Sequence, residues 1–216
     1  HFDYINKDGE QLYPCKPLPE KLTGPAYLKM SLQDQISVMA TGYVFKTTNY
    51  IQVGGIGTQY PNLIYADLQL WLDLTQKSYL AIDHSTQFSF RIHASTTKTS
   101  KDTILLDAFI IFLDYLNQLK RASSSLGEVI QANAQKFCES TTKAIAHRLL
   151  RTPRDLRKGL SIDHMITKIE SKCIALDSAY EPLNINSIRL AKTIETYPIL
   201  NELFLLFKKL YKKPVL

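Results

Sequence analysis

Four arginines recur at every third position in the C-terminal half of the chain, and a lysine follows the last of them. A guanidinium grips a phosphate through two parallel hydrogen bonds, so a cluster of this kind predicts contacts with a nucleic-acid backbone. Pro153 lies within the run and interrupts any single helix that would carry it. A solvated helix end with local salt bridges explains the pattern equally well. The predicted phosphate contacts here are Arg148, Arg151, Arg154, Arg157 and Lys158.

A second candidate phosphate site is the glycine cluster at Gly54, Gly55 and Gly57, which Thr58 follows. The cluster matches neither GxxxxGK[ST] nor a GxGxxG motif after a strand. Thr58 is a plausible N-cap for a helix reaching about residue 80, and the amide groups at such a helix start can hold a phosphate. Gly57 and Thr58 are therefore predicted phosphate contacts. A flexible turn between two helices is the alternative interpretation.

Motifs for catalysis are missing from the sequence, which contains no GxSxG, no HExxH and no Cys/His ligand spacing. We therefore expect a non-enzymatic protein without metal or cofactor; a divergent nuclease using Asp67 or Asp73 is a minor alternative. The three cysteines are widely spaced, as is typical of proteins in a reducing cytosol. With neither a leader peptide nor an apolar run of bilayer length, the expected location is the cytoplasm, away from membranes.

Two copies of a strand-and-helix pattern must position these residues. In the first, Leu28, Met30 and Leu32 alternate with polar neighbours, which predicts a half-buried strand. A helix over 35–46, a turn region over 47–57 and the helix from Thr58 follow it. In the second copy, alternation over 88–93 predicts a strand and the apolar run 102–121 predicts a helix that forms the core of the domain.

The remainder of the chain is predicted to be helical, over 128–151, from 161 or 163 to about 180, over 187–197 and over 198–213. In the last helix an apolar stripe should pack on the domain while Lys208, Lys209, Lys212 and Lys213 face water; binding to an acidic membrane surface is the alternative. The fold class is thus α+β, mostly helical, with two or three short strands. We expect an extended arm without regular structure over 1–25, a strand-helix core over 26–125 and a basic helical region over 126–216.

Charge is unevenly distributed along the 216 residues, whose formal net charge is +6. Residues 1–121 contain 11 basic and 11 acidic side chains, whereas residues 122–216 contain 15 and 9. A basic excess confined to one region is typical of proteins with an anionic partner, most often nucleic acid. A charged surface that only aids solubility is the alternative.

The strand-helix-helix order over residues 27–80 resembles that of ribbon-helix-helix proteins, in which two paired strands enter the DNA major groove. Residues 27–121 also resemble the AcaB-like regulators of conjugative plasmids and integrating conjugative elements, in the stretches YLKMSLQ, GGIG and FSFRIHASTTKTSKDTILLDAFIIFLDYL. The resemblance implies a homodimeric, sequence-specific duplex DNA-binding protein that regulates transcription or DNA transfer. It also implies base contacts by Tyr27, Lys29 and Ser31. The alternative is a structural subunit of a larger complex whose basic helices bind acidic protein partners.

Overall fold

The computed structural model describes residues 1–37, 41–92 and 101–210. Within these ranges the strands are β1 (Phe2–Ile5), β2 (Gln11–Pro14), β3 (Lys21–Thr23), β4 (Tyr79–Ala81) and β5 (Phe88–Arg91). The α-helices are α1 (Gly24–Leu32), α2 (Thr47–Gln52), α3 (Ala66–Lys77), α4 (Asp102–Ala122), α5 (Ser124–Arg151), α6 (Ile162–Leu176), α7 (Asn186–Thr196) and α8 (Pro198–Leu210). The prediction of a mostly helical α+β fold is confirmed.

The centre of the fold is α4, which packs against both α5 and α6. Phe109, Phe112 and Leu113 are completely buried, as its nearly all-round apolar sequence predicts. Ser123 ends α4 and begins α5, where its hydroxyl accepts a hydrogen bond from the amide of Leu126 at 3.5 Å. The chain therefore reverses within a single residue, and the predicted helices over 102–121 and 128–151 are both confirmed.

The predicted strand at residues 27–32 is wrong, because this segment belongs to helix α1. Pro25 occupies the first turn, where its fixed φ angle favours helix initiation. The neighbours Tyr27 and Leu28 are both completely buried, whereas a half-buried strand would expose one of them. Leu28 and Leu32 fit the i, i+4 spacing of a helix as well as they fit alternation, and packing against α3 and α5 selects the helix. A ribbon-helix-helix core is accordingly not formed by this segment.

The region between α1 and α4 also differs from the prediction. No helix occurs over 35–46 in its described part, and Met39 and Ala40, two residues of its predicted apolar stripe, lie outside the described residues. A short helix, α2, occupies part of the predicted turn region instead. The helix expected from Thr58 begins only at Ala66, because the chain first makes a 3₁₀ turn at Pro61–Leu63 and then a left-handed residue at Tyr65, with φ of 72°.

The N-terminal segment, predicted to lack regular structure, contributes three strands. A three-stranded sheet has the order β2-β1-β5, with β1 antiparallel to β2 and parallel to β5. The strand predicted at 88–93 is confirmed over Phe88–Arg91, while His93 lies outside the described residues. A second, two-stranded sheet pairs β3 with β4. Alternation correctly indicated β5, whose partner in the sheet is β1.

The C-terminal helices follow the predicted order, with α8 described as far as Leu210. The predicted orientation of α8 is wrong, since Leu203, Phe207 and Leu210 are each more than half exposed. The expectation of three reduced thiols also differs from the structure: a disulfide joins Cys138 of α5 to Cys173 of α6, and Cys15 is a free, buried thiol. None of the described helices is both long and apolar enough to cross a membrane.

Candidate nucleic-acid interface

The predicted arginine cluster is divided by the structure, and two of its members stabilise the fold. Arg148 in the last turn of α5 donates from Nε to Oδ1 of Asp102 at 3.0 Å, and the Asp102 side chain is only 4% exposed. Arg157 is itself buried and donates from Nη1 to Oε1 of Glu195 at 2.8 Å. Burial lowers the pKa of Arg157, which the negative charges of Glu195 and Asp102 oppose. Neither guanidinium is placed to bind an external phosphate.

Glu195 at the end of α7 organises the turn that follows α5. Besides pairing with Arg157, its carboxylate accepts a hydrogen bond from the amide of Ile162 at 2.8 Å, at the start of α6. Its backbone carbonyl accepts a hydrogen bond from the Arg154 guanidinium. Because one acidic residue binds three parts of the chain, this section of the basic run serves mainly to connect helices. Arg154 and Lys158 remain at the surface, the latter in a left-handed conformation with φ of 52°.

A different set of basic side chains, three of them exposed and Lys208 half-buried, forms what is here called the basic face: Lys143, His147, Arg151 and Lys208. The first three are exposed residues of α5 at positions i, i+4 and i+8. They therefore lie on one side of the helix, about 6 Å apart along its axis. Lys208 approaches from α8, with its Nζ 5.7 Å from the centroid of the Phe204 ring. The ring of Phe204 in turn packs edge-on against that of His147, with centroids 5.8 Å apart.

The electrostatics of His147 show that these cations lie close together. Its pKa is lowered from 6.5, first by partial burial and then by the positive charges of Lys208, Arg151 and Lys143. Positive charges close to the imidazole disfavour its protonation. A bound anion would relieve this repulsion, so the chemistry that the basic face favours is phosphate or carboxylate binding.

The residues predicted to read bases are not grouped on an accessible surface. Tyr27 is completely buried and its hydroxyl lies 3.2 Å from that of Tyr43. Burial raises the pKa of Tyr27, as expected for a phenol of the core. The Ser31 hydroxyl donates to the Tyr27 carbonyl at 2.8 Å, and only Lys29 of the three is exposed. The predicted base contact by Tyr27 is therefore wrong, and Lys29 and Ser31 lie on a helix instead of a ribbon.

Gly57 and Thr58 lie in a turn eight or more residues before α3, so no helix start presents its amides there. The helix start on which that predicted phosphate site was based is therefore not formed at Thr58. Asp73, one of the two candidate nuclease carboxylates, accepts a hydrogen bond from Tyr115 at 2.7 Å, and burial raises its pKa. In the part of the chain that the structure describes, no three His, Cys, Asp or Glu side chains are grouped to hold a metal ion.

Comparison of the chain with protein-family models, curated proteins and solved structures finds no match. Any assignment of function must therefore be based on the chemistry of the molecule. Of the predicted phosphate contacts, Arg151 is the one that belongs to the basic face. Lys143 and His147 could have been identified from the sequence by the four-residue helical spacing that ends at Arg151.

Proposed function

We propose that the protein binds duplex DNA through phosphate contacts made by the basic face. The observation that carries this proposal is the alignment of three exposed basic side chains along α5, two of them permanently charged, with Lys208 added from α8. A row of cations on a rigid helix matches a polyanion better than a single small anion, because successive phosphates can each meet one side chain. The surplus of basic residues after position 121 favours the same partner.

The proposal is limited to backbone contacts as the source of affinity. With Tyr27 buried, the ribbon that would read base edges has no support, so sequence preference would have to come from other residues or from DNA shape. A role in regulating transcription or DNA transfer, in the cytoplasm, stays a prediction from the sequence. A disulfide such as Cys138–Cys173 is more typical of oxidising compartments. The cytoplasmic proposal therefore requires that the fold persists when this bond is reduced.

The decisive experiment is a titration of a fluorescein-labelled, mixed-sequence 20-base-pair duplex, followed by fluorescence anisotropy over a salt series. Each phosphate contact releases counterions and contributes about −0.9 to the slope of log K against log [salt]. At pH 7.5, where His147 is neutral, the remaining three cations predict a slope of about −2.7. Micromolar dissociation constants at low salt are expected for binding of this kind.

Two variants and one matched control make the experiment specific to the basic face. Lys143→Ala and Arg151→Ala should each reduce the magnitude of the slope by about 0.9. Lys29→Ala removes an exposed cation from α1, outside the basic face, and should leave the slope unchanged. Equal effects of all three variants, or no binding at about 50 mM salt, would refute the proposal. In the second case, binding to acidic protein partners, the alternative drawn from the sequence, would become the better hypothesis.

A further inference from the structure

Helix α8 exposes its most apolar side. Four of its aliphatic side chains are each more than half exposed: Ile199, Leu203, Leu206 and Leu210. Leu200 and Phe207 flank this stripe and are also exposed. A contiguous apolar surface of this kind is unusual on an isolated domain and typically marks an interface.

The side of α8 that faces the domain is the more polar one. Asn201 is only 7% exposed, and its side-chain nitrogen has no hydrogen-bond partner. Phe204, Leu205 and Lys208 follow it at helical spacing and are half-buried against the remainder of the fold. Because the helix places an asparagine inward and four aliphatic side chains outward, packing within one chain leaves its hydrophobic stripe in water.

The spacing of the outward residues is that of a coiled-coil seam. Ile199, Leu203, Leu206 and Leu210 are separated by four, three and four residues, which is the alternation of d and a positions in a heptad. This assignment places Glu202 and Lys209 at g positions, directly beside the seam. A surface with this period fits another helix that has the same period.

We propose that α8 forms an antiparallel, two-fold symmetric helix pair with α8 of a second copy of this chain. In that arrangement Ile199 of one copy packs beside Leu210 of the other, and Leu203 packs beside Leu206. In antiparallel pairs the g positions of the two helices face one another, so Glu202 of one copy meets Lys209 of the other. The symmetry forms this oppositely charged pair twice. In a parallel pair Glu202 would instead meet Phe207, the e position five residues further along the partner helix.

The charges beside the exposed stripe of α8 favour a second copy of the chain over an anionic membrane as its binding partner. Among the residues that the structure describes, which end at Leu210, the exposed stripe is bordered by one acid, Glu202, and one base, Lys209, and these cancel. Surface-bound helices instead surround their apolar face with lysine and arginine, which attract anionic lipid. Lys208 does not serve that purpose, since it is half-buried beside Phe204 in the basic face.

The test is the oligomeric state of the intact chain and its charge variants, measured without DNA by sedimentation equilibrium. The wild type should have twice the 24.6 kDa mass of one chain at micromolar concentration. Leu206→Glu should weaken the dimer about 100-fold, since it places a charge in the centre of the seam. Ile174→Glu changes an equally exposed aliphatic residue of α6 and should have no effect.

Charge reversal identifies the geometry of the pair. Glu202→Lys or Lys209→Glu alone creates two like-charge pairs and should weaken the dimer about tenfold. The double variant restores opposite charges in both pairs and should return to the wild-type dissociation constant. Both positions are exposed, so the variants should keep the wild-type circular dichroism spectrum.

A monomeric wild type would overturn this inference, and so would a dimer that neither single reversal weakens. If the monomer floated with anionic phosphatidylserine vesicles and Leu206→Glu abolished flotation, the exposed stripe of α8 would bind a membrane instead of a second copy. Dimerisation is measured here without nucleic acid. Its failure is therefore independent of a failure of DNA binding.

Discussion

Arg148 and Arg151 both lie in the last turn of α5, yet the structure assigns them different roles. Arg148 pairs with the buried Asp102 at 3.0 Å, whereas Arg151 is exposed on the basic face. Replacing each with alanine should therefore separate stability from binding. We expect Arg148→Ala to destabilise the fold while leaving the salt dependence of DNA binding unchanged, and Arg151→Ala to do the reverse.

The size of the stability loss expected for Arg148→Ala follows from the burial of its partner, Asp102. Removing one member of a fully buried ion pair costs about 3–5 kcal/mol, because the remaining charge stays uncompensated. The Arg148 side chain is 28% exposed, so water can partly hydrate Asp102 after truncation, and we expect about 2–3 kcal/mol. For a chain of this length that corresponds to a melting temperature lower by about 5–10 °C. Arg151→Ala should stay within about 0.5 kcal/mol of wild type.

Thermal unfolding followed by circular dichroism, together with urea titration, measures this difference. Asp102→Asn provides a second variant that removes the charge while keeping a polar group of the same size, and it should destabilise less than Arg148→Ala. The reasoning is refuted if Arg148→Ala and Arg151→Ala melt at the same temperature. It is also refuted if Arg148→Ala flattens the salt dependence as much as Arg151→Ala does.

Two further predictions concern the disulfide and the imidazole. The Cys138–Cys173 bond closes a segment of 35 residues, so its reduction, or the double variant Cys138→Ala/Cys173→Ala, should lower the free energy of unfolding by about 4 kcal/mol. Cys15→Ala is the control, and a melting temperature that does not change with reductant would contradict this prediction. The pKa of His147 is lowered in the unbound protein, and a bound phosphate would raise it, so affinity for DNA should increase as pH falls from 7.5 to 5.5. The salt slope should then steepen by about 0.9, and His147→Gln should abolish both effects; an unchanged slope in the wild type would exclude His147 as a contact.

Long helices were predictable because their signal is repeated many times. The apolar positions of α4 extend over 21 residues, and no other regular structure accommodates that pattern. The segment at 27–32 is different, since six residues contain too few repeats to distinguish alternation from helical spacing. Pro25 and the contacts of α1 with α3 and α5 decide it, and those contacts come from elsewhere in the chain. A short segment with two compatible patterns adopts the one that its neighbours bury.

The sequence by itself determined the helical class of the protein, the location of its two longest helices and the basic character of its C-terminal part. Only the tertiary structure decided which cations are accessible. Asp102 lies 46 residues from Arg148, and Glu195 lies 38 residues from Arg157, so no local pattern indicates that these arginines are already paired. The outward direction of the α8 leucines has the same origin. Charge and hydrophobicity are properties of a residue, whereas their availability depends on partners that folding brings from distant positions.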